Sequence, residues 1–425
     1  MGMLKDKVIK RNLLDLLKKH LESPEISLIV GPRQAGKTTL MRMLEKYLIG
    51  SGEKTIFLNL DFEEDNKYFS SQNTLIKKIE LEFGKDKGYV FIDEIQRKQD
   101  SGVFLKGIYD RDLPYKFIVS GSGSIELKEK IHESLTGRKR LFELYPITFA
   151  EFADFRTNYI YSTRMQEFFS AEQEKTNDIL DDYLNYGGYP RIVLGETLTQ
   201  KLDVINEIYR SYIEKDIAFL LKVEKVDAFG ELIKLLAGQV GQLVNYSEIS
   251  NTLGISLPTV KNYLWYAEKT FVVEKVSPYF KNIRKEITKS PTYYFYDLGM
   301  RNFAAGCFGK VADARDKGFL FQNFILHILK EKLYSKNASI HFWRTTDRAE
   351  VDFVIKRGRD IFPVEVKYRD YASPEIERSL RNFIDKYDPL HAFVITKGFS
   401  GHMNIGKTMV RFLPFWELLF LDSII

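Results

Sequence analysis

Gly31-Pro32-Arg33-Gln34-Ala35-Gly36-Lys37-Thr38 is a complete P-loop, followed by Thr39, between an apolar run (Ile26, Leu28, Ile29, Val30) and a helical pattern (Leu40, Met41, Leu44, Leu48). A loop leaving a buried strand and entering a helix converges backbone N–H groups and the helix N-terminus on anionic phosphate. Gly31 and Gly36 leave room for the backbone to approach a ligand. Lys37 would reach the β- and γ-phosphates of ATP, and the Thr38 hydroxyl would ligate Mg²⁺. Downstream, Tyr89-Val90-Phe91-Ile92 runs into Asp93-Glu94, a Walker B pattern. Asp93 would hold Mg²⁺, and Glu94 would polarise the attacking water.

Two further residues are candidates for the same chemistry. Ser120, at the end of the apolar run Phe117-Ile118-Val119, carries a hydroxyl that fits between the second carboxylate and the γ-phosphate; a plain turn is the competing reading. Arg138, before a run from Leu141 to Leu144, is a candidate finger on the γ-phosphate of a neighbouring copy, or else a solvated charge at a strand start. A separate constellation lies near the C-terminus: Asp352 in one strand pattern, and Glu365 with Lys367 in the next. Alternation puts Glu365 and Lys367 on one face, and a hairpin through Arg357-Gly358-Arg359 brings Asp352 beside them. Two carboxylates and a lysine so grouped can bind Mg²⁺ and activate water against a phosphodiester.

These residues need a scaffold, and the chain is long enough for several. It has 425 residues, 44% of them hydrophobic, and a formal net charge of +5, which neither demands nor excludes nucleic acid. Cys307 is the only cysteine, so no intrachain disulfide forms, as suits a reducing cytoplasm. No run of eighteen apolar residues suggests a membrane span, and none of the six histidines falls in a zinc-binding pattern. Leu13, Leu14, Leu16, Leu17 and Leu21 predict an amphipathic helix before the first strand.

The P-loop string, the Phe-Ile-Asp-Glu-Ile-Gln segment, the Gly137-Arg138 pair and Leu144-Tyr145-Pro146-Ile147-Thr148-Phe149-Ala150-Glu151-Phe152 resemble a family of prokaryotic AAA-type ATPases with a C-terminal domain of unknown function. The resemblance implies a RecA-like sheet of five parallel strands in the order 5-1-4-3-2. The Asp352, Glu365 and Lys367 pattern resembles the PD-(D/E)xK nuclease fold, and a helix over about Pro374 to Ile384 and a strand from His391 to Thr396 suit its core. In that resemblance the first helix of the domain often carries a metal-holding glutamate. Here the matching residue is Gln322, whose amide lacks the charge a hard cation prefers.

Between the two lies a helical region. Tyr186-Gly187-Gly188-Tyr189-Pro190 punctuates it, with Arg191 placed to contact nucleotide or a neighbour, or simply to sit in a loop. Tyr209, Ile213, Ile217 and Leu220 are spaced as one helix face, with Glu214, Lys215 and Asp216 between them as a solvated face. Ser247 can cap a helix through Ile249 and Leu253, Gly254 turns the chain, and Ser256-Leu257-Pro258 opens a second helix: a helix-turn-helix. Phe271-Val272-Val273 and Tyr293-Tyr294-Phe295-Tyr296 then read as wing strands around a basic loop (Lys281, Arg284, Lys285, Lys289). Thr259, Lys261 and Asn262 would face a DNA groove, although winged helices also pack against proteins.

The expected fold class is α/β, with a RecA-like parallel-sheet P-loop ATPase domain over residues 1–150 and a helical segment over 151–237. A winged-helix domain over 238–312 and a C-terminal α/β restriction-endonuclease-like domain over 313–425 complete it. The function expected is Mg²⁺-dependent ATP hydrolysis coupled to DNA binding, with cleavage by the C-terminal site if that site is active. The alternative is an NTP-dependent switch that engages a protein partner, with an inactive nuclease-like scaffold. A homo-oligomer fits either.

Overall fold

The computed structural model describes residues 8–122, 134–212, 226–280, 282, 289–311, 314–334 and 336–421. Five parallel strands form the first sheet: β1 (Ile26–Gly31), β2 (Thr55–Asn59), β3 (Gly88–Asp93), β4 (Tyr115–Ser122) and β5 (Lys139–Glu143), in the order β2-β3-β4-β1-β5. This is the expected order, read from the other edge. All residues of β1 and β3 are buried, because helices cover both faces of a parallel sheet. Leu17, Leu40, Met41, Leu44 and Leu48 pack on one face; Leu75, Ile79, Leu105 and Ile108 pack on the other.

Beyond the sheet the chain turns helical at Phe149–Arg156, whose N-terminus carries a capping box between Thr148 and Glu151. Helices Gln173–Tyr186 and Leu198–Arg210 follow, the latter with a second capping box between Thr197 and Gln200. The helix face expected around Ile213, Ile217 and Leu220 lies outside the described residues, as does its charge cluster.

Helices Tyr246–Leu253 and Leu257–Lys269 form the next pair, joined at Gly254 (φ 60°). The first is capped by Asn245 rather than Ser247, since the Asn245 side chain accepts from the backbone N–H of both Ser247 and Glu248. The second starts as expected, with Ser256 capping and proline in its first turn. Strands β6 (Val273–Val276) and β7 (Thr292–Phe295) pair antiparallel behind it. Of the basic loop between them, Lys281, Arg284 and Lys285 lie outside the described residues.

The second large sheet contains β8 (Ser339–Arg344), β9 (Glu350–Arg357), β10 (Asp360–Lys367), β11 (His391–Thr396), β12 (Gly401–Ile405) and β13 (Thr408–Pro414), in the order β12-β13-β11-β10-β9-β8. The helix after β10 spans Arg378–Tyr387, starting later than the sequence suggests, because Glu377 is still extended and reaches back to pair with Lys367 at 2.9 Å. The helix Ala314–Leu333 packs against β10. One continuous core joins Ile9 to residues from Ile147 to Leu418, and in it the rings of Phe149, Phe324 and Phe415 meet within 5.6 Å, so the segments divided by pattern share their packing.

The Gly187-Gly188 segment is a buried joint rather than a loose loop. Gly188 N–H donates to Asp297 at 2.7 Å, and its carbonyl accepts from Ile147 N–H at 2.7 Å. A Cβ on Gly187 (φ 72°) would stand 2.4 Å from the Asp297 carboxylate, so only glycine fits. Burial pushes Asp297 up to about 6 from 3.8, against the pull of backbone N–H donors from Gly188, Met300 and Gly299. Between about pH 4 and pH 6 the folded chain thus binds more protons here than the unfolded one, and this residue's contribution falls as pH rises. Thermal unfolding of wild type and Asp297→Asn across that range should show the wild-type advantage shrinking with pH; a widening gap would reverse the sign.

Candidate functional site

The P-loop joins β1 to the helix Lys37–Gly50, whose N-cap, Gly36, has φ 96° and makes no side-chain cap. The first N–H groups of that helix have no acceptor within the helix, which leaves them for an anion. Gly36 is needed for its backbone angle, whereas Gly31 is needed for a neighbour: a Cβ there would lie 2.0 Å from the Leu144 carbonyl oxygen. The room foreseen at Gly31 for a ligand is therefore filled by the chain leaving β5. Lys37 is buried, and its ammonium donates to the carbonyls of Gly31 (3.1 Å) and Pro32 (2.9 Å). Pro32 and Ala35 are buried too; Arg33 and Gln34 are half-buried, Gln34 at φ 58°, and Thr39 is exposed beside Thr38.

At the mouth of the loop the exposed Thr38 hydroxyl donates to Asp93 Oδ2 at 2.7 Å. Parallel strands deliver both groups to the same sheet edge. Glu94 follows in the left-handed region (φ 58°, ψ 41°) and receives a hydrogen bond from the Gln96 amide. A glutamate held at positive φ stores backbone strain that the surrounding fold must support. Ser120 is fully buried and donates to Asp93 Oδ1, so it orients the first carboxylate, and its oxygen also lies 3.5 Å from the Glu94 N–H nitrogen. The reason is its position on β4, beside the end of β3.

Arg138 lies elsewhere. Its carbonyl accepts from Ile26 N–H at the start of β1, the opposite edge of the sheet, about 16 Å of strand from the loop. It pairs with Asp110 at 2.6 Å. Arg191, in contrast, comes to the P-loop: its guanidinium donates to Gln34 Oε1 at 3.0 Å and pairs with Glu207 at 2.8 Å.

Asp352, Glu365, Lys367 and Gln322 also come together. Continuing the β9–β10 register past Phe353 and Val364 sets Asp352 opposite Glu365. Gln322 Nε2 donates to Asp352 Oδ1 at 3.0 Å, Val366 N–H to Asp352 Oδ2 at 2.7 Å, and Lys367 pairs with Glu365 at 2.8 Å. Glu365 is 4% exposed, and its Oε2 has no hydrogen-bond partner among the described residues. Burial, then repulsion from Asp352, pushes the Glu365 carboxyl well up; burial raises Asp352. Among the described residues no group of three or more His, Cys, Asp or Glu is arranged to hold a metal; Glu377, a further carboxylate beside the pair, is engaged with Lys367.

Thr38 and Asp93 are hard oxygen donors in contact at an open helix N-terminus, a set that fits Mg²⁺ on a nucleotide. The parallel sheet, its strand order and the P-loop define a RecA-like P-loop fold. Residues 23–153 match the family model described as an AAA domain. Residues 177–310 match a domain of unknown function (DUF8612), and residues 317–418 another (DUF4143). An uncharacterised protein of Haemophilus influenzae is 26% identical over 98% of this chain and 100% of its own length. One from Methanocaldococcus jannaschii is 24% identical over 97% of this chain and 91% of its own. Among solved structures, RuvB of Thermotoga maritima aligns over 64% of this chain and 91% of its own at 16% identity, with a TM-score of 0.32. AMPPCP-bound DnaA from Aquifex aeolicus aligns over 63% and 91% at 15% identity and 0.30. Likenesses of that size carry no argument about this chain. Among the described residues no helix is long and apolar enough to cross a membrane.

The close approach at Gly31 makes a direct prediction. Gly31→Ala should destabilise the chain by about 1–3 kcal/mol, because backbone must move to admit the methyl; chemical denaturation compares it with wild type. An unchanged midpoint would mean that Leu144 does not close over the loop.

Proposed function

We propose that the chain hydrolyses ATP at the P-loop and that its C-terminal half acts on DNA. The observation that carries the first part is the Thr38 to Asp93 contact at the open end of the P-loop helix, with Glu94 one residue beyond. On binding, Lys37 exchanges the carbonyls of Gly31 and Pro32 for phosphate oxygens, and backbone N–H groups from Gly36 onward cradle the same group. Thr38 and Asp93 would hold Mg²⁺, which would supply neutralisation of the phosphate charge. Ser120 keeps the Asp93 carboxylate turned toward Thr38. Glu94, released from Gln96, accepts the proton of the attacking water. Arg138, paired with Asp110 at the far edge of the sheet from its own loop, would act as a finger only on the nucleotide of a neighbouring copy.

Two observations support the DNA reading. The helix Leu257–Lys269 leaves Lys261, Asn262 and Trp265 exposed, and Lys269 lies over the Trp265 ring at 5.7 Å, so cation, aromatic and cation repeat at i, i+4 and i+8 along one face. This is a winged-helix surface suited to phosphate and base contacts. Thr259 contributes less than expected, since its hydroxyl is engaged with Ser256 at 2.7 Å. In the C-terminal unit, read as PD-(D/E)xK-like, the buried and unpartnered Glu365 Oε2 beside Asp352 is the feature that a Mg²⁺ ion would satisfy, with Lys367 placed to stabilise a phosphorane. Gln322 supplies a neutral amide, which weakens that site for hard cations.

Steady-state phosphate release tests the first part: Lys37→Ala should abolish turnover, and Glu94→Gln should lower kcat by about 10²–10⁴ while retaining nucleotide. Equal loss of nucleotide in both would remove Glu94 from the chemistry. For the second part, Trp265 is the exposed tryptophan among three, Trp343 and Trp416 being buried. DNA should quench its fluorescence in a salt-dependent manner that Trp265→Phe abolishes, and should stimulate ATP turnover. If duplex, single-stranded and branched DNA neither quench nor stimulate, the switch acting on a protein partner becomes the better reading. Glu365→Ala should remove Mg²⁺-dependent cleavage and leave ATP turnover intact; cleavage that survives it would place the nuclease elsewhere.

A further inference from the structure

Arg11 precedes the first helix and is 8% exposed, although arginine is rarely buried unless it is paired. Its guanidinium is divided among separate parts of the chain. Nε donates to Glu151 Oε2 at 3.0 Å, Nη1 to the Ala35 carbonyl at 3.0 Å, and Nη2 to the Tyr145 carbonyl at 2.6 Å, with Pro146 O at 3.4 Å. Glu151 is held in turn by Asn12 N–H at 2.7 Å and by Thr148 N–H at 3.0 Å in the capping box.

The Ala35 carbonyl belongs to the P-loop. A trans peptide is planar, so its C=O and the following N–H point to opposite sides. Holding Ala35 O against Arg11 therefore aims the Gly36 N–H away from Arg11. Gly36, at φ 96° and without a side chain, does little to fix that peptide by itself. Its orientation depends on what holds the carbonyl. The same guanidinium grips Tyr145 and Glu151, in the segment by which the chain leaves the ATPase sheet for the helical region.

We propose that Arg11 is a positioning residue of the nucleotide site, locking the Ala35–Gly36 peptide in its phosphate-binding orientation and tying that orientation to the Tyr145–Glu151 segment. The inference rests on the P-loop reading above. Because the two grips share one side chain, nucleotide at the loop and order in residues 145–151 favour each other reciprocally. Lysine in its place keeps one charge for Glu151 but lacks the fork that reaches both carbonyls.

Hydrogen exchange on the full chain, wild type against Arg11→Lys, tests this with and without Mg·ADP. Without nucleotide, residues 31–37 should exchange about tenfold faster in the variant, with β3 and β4 unchanged, and fluorescent-ADP affinity should fall by a similar factor. In the wild type, Mg·ADP should slow exchange in 145–151 as well as in the loop, and in the variant only in the loop. A folded variant with wild-type loop exchange and wild-type affinity overturns the proposal, since a merely structural staple would lower the melting temperature and leave both unmoved. Should the variant not fold, the wild type decides, because protection confined to the loop also overturns it. If wild type binds no ADP, the ATPase reading fails on its own, and the nucleotide-free arm still decides the hold of Arg11 on the loop.

Discussion

Leu144 crosses Gly31 so closely that no side chain fits between them, and Leu144 N–H donates to the Val30 carbonyl at 2.8 Å. This contact decides much of the architecture. It extends the β1–β5 pairing past the end of β5 and carries the departing chain directly behind the P-loop. From there Tyr145 and Pro146 can offer their carbonyls to Arg11, and Thr148 and Glu151 can cap the first helix of the next region. The nucleotide loop and the exit from its own sheet are thus built against each other. In a simpler strand–loop–helix unit the glycine at this position would face a ligand; here its missing side chain is used by the protein itself.

The sequence makes the local parts of this arrangement readable. Apolar runs locate the five strands of the first sheet and the strands β8 to β11 within a residue or two, but they miss β12 and β13 and shift β6 by two to three residues; Gly-x-x-x-x-Gly-Lys-Thr with Asp93-Glu94 marks the sheet edge that carries the candidate site. What the sequence hides is pairing across long separations. Arg11 stands near Lys10 and cannot be told from a solvated cation, yet its partner is 140 residues away. Glu151 announces a capping box, since Thr148-x-x-Glu151 is legible, but not its second role as counter-ion. Ser120 and Arg138 are legible as strand-end residues, while their partners, Asp93 and Asp110, depend on strand neighbours and on helix docking that periodicity does not encode.

The C-terminal centre presents a different physical problem. Two carboxylates facing each other inside a protein are costly unless cations or hydrogen-bond donors compensate them. Val366 N–H and the Gln322 amide serve Asp352, and Lys367 serves one oxygen of Glu365. The remaining oxygen, Oε2, is buried without a partner among the described residues. This oxygen is the feature on which the proposed Mg²⁺ occupancy rests, and the neutral Gln322 would hold such a cation more weakly than a third carboxylate.

The two centres are linked by one helix. In Ala314–Leu333, Gln322 reaches the acidic pair, and Lys330, eight residues later and about 12 Å along the axis, lies over the rings of Tyr296 (4.9 Å) and Tyr145 (5.8 Å). Tyr145 stacks on Tyr296 at 5.6 Å, and its backbone is the segment that Arg11 holds. A regular helix resists bending far more than a loop does, so a shift of Tyr145 relative to the second sheet must either break this aromatic contact or move the helix that carries Gln322. The path from the P-loop to the acidic pair therefore runs through one guanidinium, one aromatic stack and a little over two turns of helix. Every step is a packed or hydrogen-bonded contact, so the proposed nucleotide cycle at the loop would have a contiguous physical route to the C-terminal half.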